Sequence, residues 1–177
     1  MGLSRHAVAL IAALALLLAA PAAAGACKNA GATPESATKR VLVRATLCLL
    51  NAQRARRGLG ALRLNGDLST AARRHSRAMV SKRFFSHTSP DGTTFLDRIK
   101  ATGYLSGARS WNVGENIAYG SGSLSTPRAI SRAWMKSPGH RANILSSAFR
   151  SIGVGIASGT PVGRDGGTYT TDFGRRS

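Results

Sequence analysis

Two short alternating runs, SIGVGIAS at 151–158 and GTYTTDFG at 167–174, close a chain whose earlier part repeats its apolar residues at helical spacing. Alternation of this kind reads as a pair of antiparallel strands, and the Gly-rich stretch between them as their connection. Helices early and strands late are the signature of an α+β domain in which helices cover a small antiparallel sheet.

The helical part divides at its turn formers. From Ser36 to about Arg57, the residues Val41, Ala45, Cys48, Leu49 and Ala52 fall on one face, and Gly58 supplies a stop. A second helix, capped by Asp67 or Ser69, places Leu68, Ala72, His75 and Met79 together, so His75 reads as a packed residue. TTFLDRIKATGY gives a short third helix ended by Gly103. A loop then leads through Trp111 and the segment VGENIAYGSGS to STPRAISRAWMKS, where Thr126 caps a helix, Pro127 opens it, and Pro138 and Gly139 end it. With 177 residues and 43% hydrophobic composition, the chain suffices for one domain of ordinary size.

The N-terminal residues are not part of that domain. MGLSRH is basic, Ala7 to Ala20 is an unbroken apolar run, and PAAAGAC follows with small residues, the three parts of an export signal. The run is shorter than the roughly 18 apolar residues of a spanning helix, so no stable transmembrane span is expected there. Residues 1–26 are therefore read as a signal, 27–40 as a lead-in and 41–176 as the domain of a secreted, extracellular protein. Lipid attachment at Cys27 is the alternative, although no Leu precedes the small pair before it. Cys27 and Cys48 are the only cysteines. In an oxidising compartment they read as one disulfide whose loop of about 20 residues is worth roughly 3 kcal/mol; the competing reading makes Cys48 a small apolar helix residue.

Lys and Arg number 25 against seven acids, a net charge of +18. Such a surface is drawn to anionic cell-wall polymers, phospholipid headgroups or nucleic acid, with a salt-sensitive component. Compositional bias toward Arg explains the same numbers, and no aromatic residues interleave the bases as a single-strand binder requires.

Beyond residue 26 the histidines are His75, His87 and His140, the last two beside Pro or Gly at element ends, where functional side chains concentrate. Glu115, between Gly114 and Asn116, is one of two glutamates. Two imidazoles and a carboxylate suit a divalent cation with an open position, or an acid, a base and an orienting group. Scattered loop residues with no common site are the plainer reading of composition.

The motifs FFSHTSPDG, GENIAYG, WMKSPGHRANIL, IGVGIA and YTTDFG, in this order, resemble those of bacterial CAP domains, also called SCP domains. LLNAQRARRGLGALRLNGDLSTAARRHSRAM is similar to the opening helices of that family, so the resemblance runs from about Leu47 to Gly174. It implies an α-β-α sandwich with a cleft lined by His87, Glu115 and His140. Where many eukaryotic members carry a second glutamate, three residues after the helical tryptophan, this chain has Ser137. Asp172 in YTTDFG is a further acid of these motifs, and it is not expected to take part.

Three functions are compatible with that resemblance. The first is a secreted ligand-binding or interaction module for a small ligand such as a lipid or glycan, whose cleft holds a divalent cation such as zinc through His87 and His140. The second is a hydrolase, with His87 or His140 as base, Glu115 orienting it, and water or Ser137 as nucleophile; no GxSxG elbow is present. The third is a cationic binder of wall polymers or nucleic acid that needs no cleft. The export reading makes the first expected outcome a simple one: secreted material begins between Gly25 and Cys27 by intact-mass measurement, and a chain starting at Met1 or Gly2 rejects it.

Overall fold

The computed structural model describes residues 27–177, so the expected export signal lies outside the described residues. The elements are helix α1 (Lys39–Ala55), strand β1 (Arg63–Leu64), helices α2 (Gly66–Ser81) and α3 (Phe95–Lys100), strand β2 (Trp111–Gly120), helices α4 (Pro127–Lys136) and α5 (Pro138–Leu145), and strands β3 (Ser151–Ser158) and β4 (Gly167–Arg176). The sheet has the order β1-β3-β4-β2. Its three long strands are antiparallel, while the two-residue β1 joins β3 in parallel, so the sheet is mixed rather than purely antiparallel. Helix α2 covers one face; α1, α4 and α5 cover the other. This is the expected α+β sandwich.

The two faces are packed differently. Toward α1, α4 and α5, the side chains of Ile152, Val154, Ile156, Tyr169 and Phe173 meet Leu42, Leu50, Trp134 and Ile144 in the main apolar core. Toward α2, strand β3 presents Gly153 and Gly155 instead. A Cβ at Gly153 would collide with the backbone of Leu68, and one at Gly155 with the backbone of Ala72. Helix α2 thus lies directly on the strand, held also by the Ser76 hydroxyl, which donates to Gly155 O at 3.1 Å.

Local sequence chemistry sets the element ends. Thr126 caps α4 by accepting from the Ala129 N–H, with Pro127 in the first turn as expected. Thr94 and Asp97 form a reciprocal capping box on α3. Asn65, rather than Asp67 or Ser69, caps α2, its Oδ1 accepting from Leu68 N–H at 3.0 Å. The Ser69 hydroxyl turns back to Asn65 O. The Cys27–Cys48 disulfide is formed and ties the lead-in to α1.

Strand β2 is the element that the sequence reading placed in a loop. Its residues Gly114 to Ile117 are all buried, so the polar Glu115 and Asn116 sit where an alternating pattern would show one apolar and one polar face. Likewise Pro138 and Gly139 do not end the helical region. Pro138 starts α5, because a proline at the first helical position sacrifices no intrahelical hydrogen bond. Among the described residues no helix is long and apolar enough to cross a membrane.

The close approach of α2 to β3 has a measurable consequence. Gly155→Ala forces the helix off the strand and is expected to lower stability by about 3 kcal/mol. Gly60→Ala, where a Cβ meets nothing, serves as the control and stays within about 0.5 kcal/mol of the parent in urea unfolding.

Candidate functional site

The site is built against the outer edge of β2. On that edge two backbone carbonyls, Glu115 O and Ile117 O, accept from side chains instead of from another strand. Asn143 Nδ2 donates to Glu115 O at 3.2 Å, and the Trp134 indole N–H donates to Ile117 O at 3.1 Å. Asn116 extends the contact: its Oδ1 accepts from Asn143 at 2.9 Å, and its Nδ2 donates to His140 O at 3.0 Å. These bonds dock α4 and α5 on the strand and fix the position of His140, which lies in the first turn of α5 and not in a loop.

Across β2 the Glu115 side chain points toward α2 and α3, 1% exposed. Its Oε1 accepts from His87 Nδ1 at 2.7 Å and its Oε2 from Arg98 at 2.8 Å. Arg98 also donates to His87 O at 2.9 Å and to Thr93 O at 3.1 Å, so one guanidinium holds both the carboxylate and the loop that carries the histidine. His75 secures the same loop from α2, its Nε2 bonded to Ser86 O at 2.9 Å. His75 is fully buried, as its place on the helix face implied. The structure gives it the added task of aiming His87.

The histidine that results is oriented and open. His87 uses Nδ1 on Glu115, while half of its side chain is exposed and its Nε2 has no hydrogen-bond partner among the described residues. Beside it runs a groove of about 290 Å3, with Phe85, Ile117, Tyr119, Trp134, Ser137 and His140 on its walls. The rings of Phe85 and Tyr119 meet edge to face at 4.9 Å and are both exposed. Ser137, which links α4 to α5, lies on this groove wall but accepts no cap hydrogen bond.

Burial and charge set the protonation states. Burial alone would raise the Glu115 carboxyl, but the His87 hydrogen bond and the Arg98 charge outweigh it and hold the group below its ordinary value. His140 is lowered by burial, with the neighbouring His87 acting in the same direction. His75 is lowered by burial too, against the pull of Glu115.

Asp172 joins this cluster, contrary to expectation. It stands directly opposite Glu115 in the β2–β4 register, so their side chains share one face. It is fully buried, and neither carboxylate oxygen has a donor. Two carboxylates cannot bond each other, whereas a neutral acid can donate to a carboxylate. Burial and the Glu115 charge accordingly push Asp172 well above the usual carboxylate range, and it is the member of the pair that keeps its proton.

Residues 47–171 match the cysteine-rich secretory protein family, CAP. The chain belongs to this family. It is 41% identical over 113 residues to the uncharacterized protein YkwD of Bacillus subtilis, covering 63% of this chain and 41% of the relative. Among solved structures, an extracellular SCP-domain protein of Bacillus anthracis superposes with a TM-score of 0.61 at 29% identity, over 77% of this chain and 43% of that one. An outer surface protein of Borrelia burgdorferi shares the fold at a TM-score of 0.58 and 22% identity, over 72% of this chain and 87% of its own. The chain therefore spans less than half the length of the first two relatives.

Within this CAP domain, Glu115 bonds His87, and His140 lies on the wall of the neighbouring groove. The sequence reading did not find Arg98, Asn143 or the role of Asp172. Only the requirement that a buried carboxylate have a cation partner could have pointed to Arg98, and spacing does not say which arginine meets it.

Opposite protonation of the two acids gives variants of opposite sign. Native Asp172 holds its proton to a higher pH than the unfolded chain does, so this group reduces stability as pH rises above the ordinary carboxyl value. Native Glu115 is depressed, so its stabilisation is present above the unfolded value and is lost as pH falls through the folded one. In melting experiments from about pH 4 to pH 7, Asp172→Asn should gain stability relative to the parent as pH increases, and Glu115→Gln should lose it. A flat or falling difference for Asp172→Asn contradicts the neutral acid.

Proposed function

We propose that this CAP domain is a secreted ligand-binding module whose ligand lays an apolar part along the Phe85–Tyr119 groove and a polar part at His87 and His140. The observation that carries this reading is the pairing of a wet, carboxylate-oriented imidazole with an exposed apolar groove at one edge of the sheet. Sites of this composition, largely apolar with a few fixed polar groups, are how small molecules are held. A lipid or a glycan with an apolar face meets that description.

The donor set bears on the cation. Glu115 has both oxygens engaged and is buried, so it orients His87 and is not a ligand itself. That leaves His87 and His140, and among the described residues no group of three or more His, Cys, Asp or Glu could hold an ion. The set falls short of the three protein donors of a catalytic zinc site. A divalent cation such as zinc is accommodated here only as a shared guest, held by two imidazoles and completed by ligand or water. A carboxylate behind the imidazole, as Glu115 stands behind His87, is the usual outer support of such a ligand.

The same His87–Glu115 pair has the geometry of a general base and its orienting acid, and this favours hydrolysis as the second reading. Ser137 has no base bonded to it, so water would be the nucleophile.

Zinc titration by calorimetry tests the proposal. Weak binding is expected in the parent, lost in His87→Ala and in His140→Ala, and reduced about 10- to 100-fold in Glu115→Gln. Affinity should fall as the medium is acidified, because both imidazoles must be neutral to hold the ion. Tyr119→Ser should weaken binding of the neutral dye Nile red without altering zinc. Zinc binding that survives loss of both His87 and His140 removes the cation; dye binding indifferent to Tyr119 removes the groove.

A further inference from the structure

A second site lies between α1 and α4, on the face of α4 opposite to the one that walls the first groove. The two helices flank a groove of about 230 Å3 lined by Leu49 of α1 and Arg56 at its C-terminal cap, and by Arg128, Ser131, Arg132 and Met135 of α4. These positions follow helical spacing, so each set is one stripe of its helix. Stripes that face a neighbouring helix are ordinarily apolar. Here they bring three guanidiniums to one hollow.

No acid answers them. Neither α1 nor α4 contains an Asp or Glu. Asp91 faces Lys82, Asp97 caps α3, and Glu115 and Asp172 are buried in the cleft across the sheet. Among the described residues, the Arg56, Arg128 and Arg132 guanidiniums take part in no ion pair and no side-chain hydrogen bond. Arg128 and Arg132 are one turn apart, a like-charge arrangement that works against the helix.

A further observation is independent of charge. Ser131 lies between these arginines and is 5% exposed, yet its hydroxyl has no hydrogen-bond partner. A hydroxyl in mid-helix usually returns to the carbonyl one turn back, and buried polar groups without partners are rare. This one is unpartnered on the wall of a hollow ringed by guanidiniums.

We propose that the α1–α4 groove is an anion site for a terminal phosphate monoester carried on a polyol. Guanidinium forks match phosphate oxygens in pairs, and the three unesterified oxygens of a terminal phosphate offer enough acceptor positions for three arginines and the Ser131 hydroxyl together. A planar carboxylate has two oxygens and leaves part of that donor set unused. Leu49 and Met135 supply an apolar wall beside the charges, and the lining has no aromatic ring on which a nucleobase could stack. The site does not involve His87 or the Phe85–Tyr119 groove, so it stands or falls separately from the cleft reading.

Low-salt calorimetry with inorganic phosphate, glycerol phosphate and oligodeoxythymidylate distinguishes the sources. Arg128→Ala/Arg132→Ala should weaken glycerol phosphate by about tenfold or more, while Arg73→Ala/Arg77→Ala, the same loss of charge on exposed positions of α2, should change it less than about twofold. Ser131→Ala should weaken phosphate while leaving the melting temperature equal or higher, since it removes an unsatisfied hydroxyl. Glycerol phosphate should bind more tightly than inorganic phosphate, and His87→Ala should leave both unchanged. Equal losses in the two arginine pairs would reduce the effect to net charge and overturn the site. Loss of oligodeoxythymidylate binding in the groove variant, with glycerol phosphate unaffected, would overturn the polyol phosphate monoester.

Discussion

The cleft depends on one negative charge taken out of water. Glu115 sits on the inward side of an edge strand, where an isolated carboxylate would be strongly disfavoured. Two donors make it tolerable, and both come from segments distant in sequence: His87 follows α2, and Arg98 belongs to α3. The charge therefore gathers the connections around it. Arg98 reaches past the carboxylate to His87 O and Thr93 O, so the loop, the helix and the strand are fixed by one guanidinium. Asp172 can lie next to Glu115 only as a neutral acid, because a second charge has no cation left to meet.

That arrangement needs α2 to lie low over the sheet. Gly153 and Gly155 remove the side chains that would separate helix from strand, and the hydroxyl of Ser76 joins them. The lowered helix brings His75 to the level of Ser86, whose carbonyl it binds, and the chain leaves toward β2 with His87 aimed at Glu115. On the far side, Trp134 and Asn143 finish the hydrogen bonding of the edge strand. An edge closed by side chains does not invite a further strand, and it leaves a rim along which a groove can form.

Much of this was legible in the sequence, and what was not has a physical reason. The terminal hairpin, the helix carrying Trp134 and the packed position of His75 follow from period and capping, which are local. Strand β2 was not legible as a strand because both of its faces are buried and it carries Glu115 and Asn116 where apolar residues would reveal the alternation. Helix α5 was hidden by Pro138 and Gly139, which read equally as a stop and as a first turn. The positions of His87, Glu115 and His140 came through motif resemblance; their separation in the chain contains nothing that says they meet. Arg98 and Asp172 matter through partners across the sheet, and Asp172 in particular gains its role from register alone.

A shortage of acids runs through the whole molecule and explains how its cations are placed. Arg54 is fully buried, yet no carboxylate accompanies it. Its guanidinium donates to Gly60 O, Ile144 O and Ser146 O, each at 2.8 Å. Two of these carbonyls belong to the C-terminal end of α5, where the helix concentrates partial negative charge and leaves acceptors unpaired. Arg54 thus anchors the end of the helix whose first turn bears His140. Arg98 takes the same course for part of its donor set, with carbonyls supplementing its one carboxylate. With seven acids for 25 bases, backbone oxygen supplies the acceptors of Arg54 and two of those of Arg98. Exposed Arg150 and Arg176 still reach the carbonyls of Ser147 and Ser106, whereas the Arg56, Arg128 and Arg132 guanidiniums have no such partner among the described residues. Where these three converge, the missing acceptors must come from outside the chain.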